Sequence, residues 1–150
     1  MMKTAAAVAA VLALIASLAP HPAVAADFPD MRGVWKATYL AVAPSSRTTK
    51  EPSFDKAEWH LEVKEQQENV FWGISKWRIE GREKWNDVEA TGSFDLNDPS
   101  KLIMVETAPN EPGAKGLIDG KLDGDKIYVT FKGIEFGIAF SAVLKKSSGN

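Results

Sequence analysis

The sequence predicts an all-β fold, an eight-stranded antiparallel up-and-down meander closed into a barrel, and three observations predict it. Apolar residues after residue 32 recur with a period of two rather than 3.6. Clusters of Gly, Pro, Asn and Asp interrupt that alternation at short intervals. A hairpin unit also recurs. Gly92-Ser93-Phe94-Asp95, a turn and Lys101-Leu102-Ile103-Met104-Val105 resemble Gly120-Lys121-Leu122-Asp123, a turn and Lys126-Ile127-Tyr128-Val129. Consecutive hairpins with one apolar face must bury that face, and closing the sheet removes its two open edges. A two-sheet β-sandwich is the alternative.

The chain opens on a segment of a different kind. Lys3 precedes a run from Ala5 to Ala19 that is apolar except for Ser17. Pro20-His21-Pro22 then breaks the run before Ala23-Val24-Ala25, a small-x-small cleavage pattern. Residues 1–25 therefore read as a secretory signal peptide. The run is shorter than the roughly 20 apolar residues a membrane-spanning helix needs. Cleavage leaves residues 26–150 as a single barrel domain, with a short leader at 26–32 and a flexible tail at 147–150. The expected location is the bacterial periplasm or the extracellular medium.

Eight strands follow in order. The first, Val34 to Val42, is rich in residues that suit a pleated surface. The second, Trp59 to Glu65, sets Trp59, Leu61 and Val63 against His60, Glu62 and Lys64. The third runs Val70 to Trp77, after a turn at Gln67-Glu68-Asn69. In the fourth, Val88 to Leu96, an apolar row of Val88, Ala90, Gly92, Phe94 and Leu96 faces away from Glu89, Thr91, Ser93 and Asp95. Asn97-Asp98-Pro99-Ser100 presets the next turn. The fifth and sixth are Leu102 to Thr107 and Gly116 to Leu122. Asp123-Gly124-Asp125 signals a tight hairpin into the seventh, Lys126 to Lys132. The eighth runs Phe136 to Lys145.

The connections fall into two sets. Tight turns follow the second, fourth and sixth strands, whereas Ala43–Glu58, Arg78–Asp87 and Ala108–Lys115 are long and gather at the other end. Long loops in a compact domain tend to serve a function. Inward parity gives the tight-turn end a plug of Trp35, Val63, Phe71, Phe94, Leu96, Leu122, Ile127 and Leu144. Small residues, among them Ala37, Gly73, Ser75, Ala90, Gly92, Gly120 and Ala142, form a waist above it. The candidate ligand-binding lining is Tyr39, Leu61, Ser75 and Ala90, with Trp59, Trp77, Phe131 and Phe136 around the mouth and Glu106 nearby. Eight strands enclose just enough room for packed side chains or for one small ligand. Both readings stand at this level.

Other chemistry is sparse. Without Lys3 the formal net charge of −2 becomes −3, which disfavours nucleic acid and anionic membrane surfaces as partners. No cysteine is present, so thiolate metal sites and thiol nucleophiles are excluded. His60 is the one histidine after residue 25 and lies on a polar face, so no triad or histidine-based metal site is expected. The expectation is a non-catalytic binder of a small, largely apolar molecule, with no cofactor and no metal. The alternative is a protein-binding module that uses its long loops and leader, such as a protease inhibitor or an envelope-assembly partner.

Gly33-Val34-Trp35 carries a family resemblance. Gly-x-Trp at the start of the first strand resembles the lipocalin signature. That resemblance implies a Trp lying across the barrel floor and a cup for an apolar ligand. In lipocalins an Arg near the last strand meets that Trp, and here Lys145 and Lys146 occupy the region. The helix-free meander also resembles the avidin type, but Ala37 stands where that family places a polar ligand-binding residue. Biotin binding is not implied. The small secreted β-barrel inhibitors of bacterial metalloproteases are a third look-alike, in which the leader at 26–32 would enter the protease.

Overall fold

The computed structural model describes residues 27–43, 53–108, 113–133 and 137–148. The signal peptide read at 1–25 and the mouth residue Phe136 lie outside the described residues. Eight antiparallel strands run β1 (Gly33–Ala43), β2 (Ser53–Gln67), β3 (Val70–Ile79), β4 (Asn86–Phe94), β5 (Lys101–Thr107), β6 (Ala114–Asp123), β7 (Lys126–Gly133) and β8 (Ala139–Lys146). Each pairs with its sequence neighbours, and β8 returns to β1 to close the barrel. The meander barrel is therefore correct, and the sandwich alternative is not what forms. Among the described residues no helix is long and apolar enough to cross a membrane.

The predicted parity holds through most of the wall. Trp35, Trp59, Leu61, Val63, Phe71, Ala90, Phe94, Leu102, Met104, Ile118, Ile127, Val129 and Leu144 form one buried core. Small residues in the waist do not leave it hollow. A Cβ on Gly92 would meet the Phe71 ring and come within 2.8 Å of Met104 Cγ, and one on Gly120 would come within 2.6 Å of Leu102 Cδ1. Large side chains thus lie over small ones, which fills the taper of a small barrel.

Most strand boundaries differ from the sequence reading by a residue or two, and three differences bear on the site. β4 ends at Phe94, and Leu96 is 69% exposed rather than part of the plug. The Asp95 carboxylate accepts hydrogen bonds from the N–H groups of Asn97 (2.7 Å) and Asp98 (3.3 Å), an Asx turn that ends the extended chain at once. β2 starts six residues early, at Ser53, because backbone pairing with β1 continues from Ala37–Trp59 up to Ala43–Ser53. β8 starts at Ala139, three residues later than the alternation suggests.

A β-bulge between Val63 and Glu65 reverses the parity at the end of β2. Gln66 then stands opposite Phe71 and faces the barrel floor. The seam is the shortest ladder in the barrel. β1 and β8 are in register at Trp35–Lys146 and Lys36–Lys145 alone, whereas β1 and β2 share eleven pairs.

Candidate functional site

The floor comes first, since it decides what remains open. Trp35 is 1% exposed, and its indole Nε1 donates to the Met31 carbonyl at 2.8 Å. Met31 is fully buried, and its N–H donates to Gln66 Oε1 at 2.7 Å. Gln66 Nε2 in turn donates to the Pro29 carbonyl at 3.0 Å. Phe28 stacks on Phe94 with ring centroids 5.9 Å apart, and Lys146 Nζ donates to the Asp30 carbonyl at 3.0 Å. Residues 28–31 are therefore part of the barrel closure, a role that sequence reasoning missed. The signal was thin: Phe28 and Met31 are two apolar residues in an otherwise polar, Pro-containing stretch.

The opposite end holds the predicted mouth residues. Tyr39 from β1 stacks on Phe140 from β8 at 3.8 Å, and Phe140 stacks on Phe131 from β7 at 4.8 Å. Trp59 meets Tyr39 and Phe140 edge-on, at 6.4 and 5.9 Å. This stack bridges the upper seam, above the two backbone pairs that hold β1 to β8. Tyr39, Phe131 and Phe140 are half-buried. Trp77 stands beside Trp59 in register and is 37% exposed. Phe140 lies at the centre of the stack, although the sequence reading does not place it in the lining.

A polar chain crosses the interior below the rings. Trp59 Nε1 donates to Ser75 Oγ at 2.7 Å, and the Ser75 hydroxyl donates to Glu106 Oε1. Trp59, Ser75 and Glu106 come from β2, β3 and β5, so the chain reaches from one wall toward the opposite one. Glu106 is 5% exposed, and no cation among the described residues lies within ion-pair distance of it. Burial pushes its carboxyl above the ordinary range, against the opposing effect of the Ser75 hydrogen bond. The Tyr39 phenol is pushed up to about 12, by burial and then by the nearby charge of Glu106.

The predicted lining thus divides. Tyr39, Trp59 and Phe131 gather around Phe140, and Trp77 stands beside Trp59 in register, while Leu61, Ser75 and Ala90 lie beneath them and, like Trp59, have almost no accessible surface. The wall of an empty cavity large enough for water would register as accessible surface, so the space beside those three is filled.

The outer wall carries the remaining aromatics. Trp85 packs its ring 4.6 Å from His60, and the Arg78 guanidinium lies 4.5 Å over it. Arg78 also forms a two-pronged pair with Glu58, at 2.9 and 3.0 Å. His60 titrates lower than usual, through partial burial and then the Lys36 charge. Trp72 is half-buried, under Lys64 at 5.9 Å. Among the described residues no three His, Cys, Asp or Glu side chains converge in a way that could hold a metal.

Neither a protein-family model nor a curated protein matches this chain. The fold defines it as a closed eight-stranded antiparallel β-barrel, an architecture compatible with the lipocalin and calycin type.

Proposed function

We propose that this is an exported binding protein of lipocalin-like type, which holds one small, largely apolar molecule at the barrel mouth without transforming it. The observation that carries the reading is the ring stack Tyr39–Phe140–Phe131, half-buried at the open end of a barrel whose lower half is packed solid. Half-buried aromatic rings beside a few fixed polar groups suit a small-molecule site. Tyr39 and the Trp59–Ser75–Glu106 chain supply those groups. At the upper seam ring contacts, rather than further backbone pairs, join β1 to β8, so side chains line the entry there. The floor at Trp35, with Lys146 across its ring, supports the lipocalin-like reading. Residues 28–31 are engaged in closing the barrel, which favours the mouth over a leader that inserts into a partner.

Native mass spectrometry of protein purified from its own source tests the reading. The expected result is a co-purifying small molecule that Phe140→Ala releases. A stoichiometric second polypeptide in its place, with no bound small molecule, would overturn it.

A further inference from the structure

Glu106 stands out among the interior groups. It is a nearly fully buried carboxyl, and among the described residues its one hydrogen-bond partner is the Ser75 hydroxyl and no cation is paired with it. A carboxyl of this kind must either keep its proton or receive a positive charge from elsewhere. Its strand, β5, stands across the barrel from the seam, where Tyr39 and Phe140 meet, so one carboxyl faces an aromatic wall. A carboxylate beside π faces is the environment that organic cations favour.

We propose that the molecule taken up at the mouth carries a basic nitrogen, whose ammonium pairs with Glu106 while its apolar body lies against Tyr39, Phe131 and Phe140. This rests on the mouth reading above and adds the ligand class, an amphiphilic amine. Phe131 is the gate. A Cβ on Gly116 would strike the Phe131 ring and would come within 3.4 Å of Glu106 Oε2, so that ring sits on bare backbone beside the carboxyl. Gly116 is also the register partner of Glu106. Swinging the Phe131 ring away from Gly116 uncovers Oε2 without moving a strand. The absence of a side chain at Gly116 then serves the approach of a ligand as well as the packing of the closed state.

Three probes of similar size test the proposal: 2-phenylethylammonium, neutral 2-phenylethanol and anionic phenylacetate. Each is titrated by calorimetry and Trp fluorescence into the wild-type protein and into Glu106→Gln, whose fold is checked by circular dichroism. The wild type is expected to prefer the ammonium over the alcohol by roughly tenfold to hundredfold, the range of a charge-assisted hydrogen bond, and to bind phenylacetate worst. Glu106→Gln should keep its affinity for the alcohol and lose the preference. Equal binding of ammonium and alcohol by the wild type overturns the amine proposal and leaves the mouth reading standing. So does a preference that survives in Glu106→Gln. Failure of all three probes to bind takes the mouth reading down as well. The three-probe comparison on the wild type decides alone if the variant does not fold.

Discussion

The Lys146 ammonium lies 5.1 Å from the centroid of the Trp35 ring, and the same ammonium donates to the Asp30 carbonyl at 3.0 Å. One side chain from the last strand thus holds the floor tryptophan and the leader together. Trp35→Ala should cost about 3–5 kcal/mol in urea melts, the usual range for deleting a large buried aromatic. Lys146→Met keeps most of the aliphatic stem and should cost about 0.5–1 kcal/mol, the worth of an exposed cation–π contact. A loss below about 1 kcal/mol for Trp35→Ala would mean that it does not bear the floor.

Met31 offers a test of the leader. Its side chain is fully buried, and its backbone is held by Gln66 and Trp35. Met31→Ala is expected to destabilise the fold by about 2–5 kcal/mol. An unchanged urea midpoint would show that the leader is detachable and would return the inhibitor reading to the front.

Glu106 makes stability depend on pH in a direction opposite to that of ordinary carboxylates. Its folded-state pKa is raised by burial, so above the unfolded value the native state keeps a proton that the unfolded chain has lost. Stability then falls as pH rises through the folded-state pKa. Glu106→Gln removes this penalty. The variant is expected to melt higher than the wild type at pH 8, with a difference that shrinks toward pH 4. A difference equal at both pH values would assign the effect to packing rather than to the proton.

Ala90 reports on the waist. It is buried and lies in register between Gly73 and Glu106. Ala90→Leu should destabilise by about 1–3 kcal/mol through overpacking. An unaltered melting temperature would reveal unfilled space there and would lower the ligand site into the barrel.

Export is tested at the N-terminus. N-terminal sequencing of protein from the envelope fraction is expected to begin at Ala26, and an intact Met1 on cytosolic protein would contradict the signal peptide.

Period-two alternation was enough to read the strand count, order and inward faces, because a half-buried strand shows its two faces directly in the sequence. Val88, Ala90, Gly92 and Phe94 all face inward as read, and the pattern failed at Leu96 because the Asp95 turn acts through backbone N–H groups. The bulge at the end of β2 was equally silent, since an inserted residue changes parity without changing composition. Parity and strand position read Trp59 and Phe131 at the mouth and Tyr39 in the lining, and the structure gathers the three around Phe140. The pairing of Ser75 with Glu106 was not legible, because nothing in a one-dimensional pattern says that β3 and β5 side chains meet over β4.

The Asp30–Lys146 bond and the two-pair seam join the segment before β1 to the last strand. Until β8 has been made, β1 and β7 each expose an unpaired edge, and the floor lacks the lysine that holds Trp35 and the leader. Closure thus needs β8 in place, and it joins strands from opposite ends of the meander, a pairing of long sequence separation. A nascent product ending before Ala139 should accordingly be degraded by a protease that the full-length protein resists.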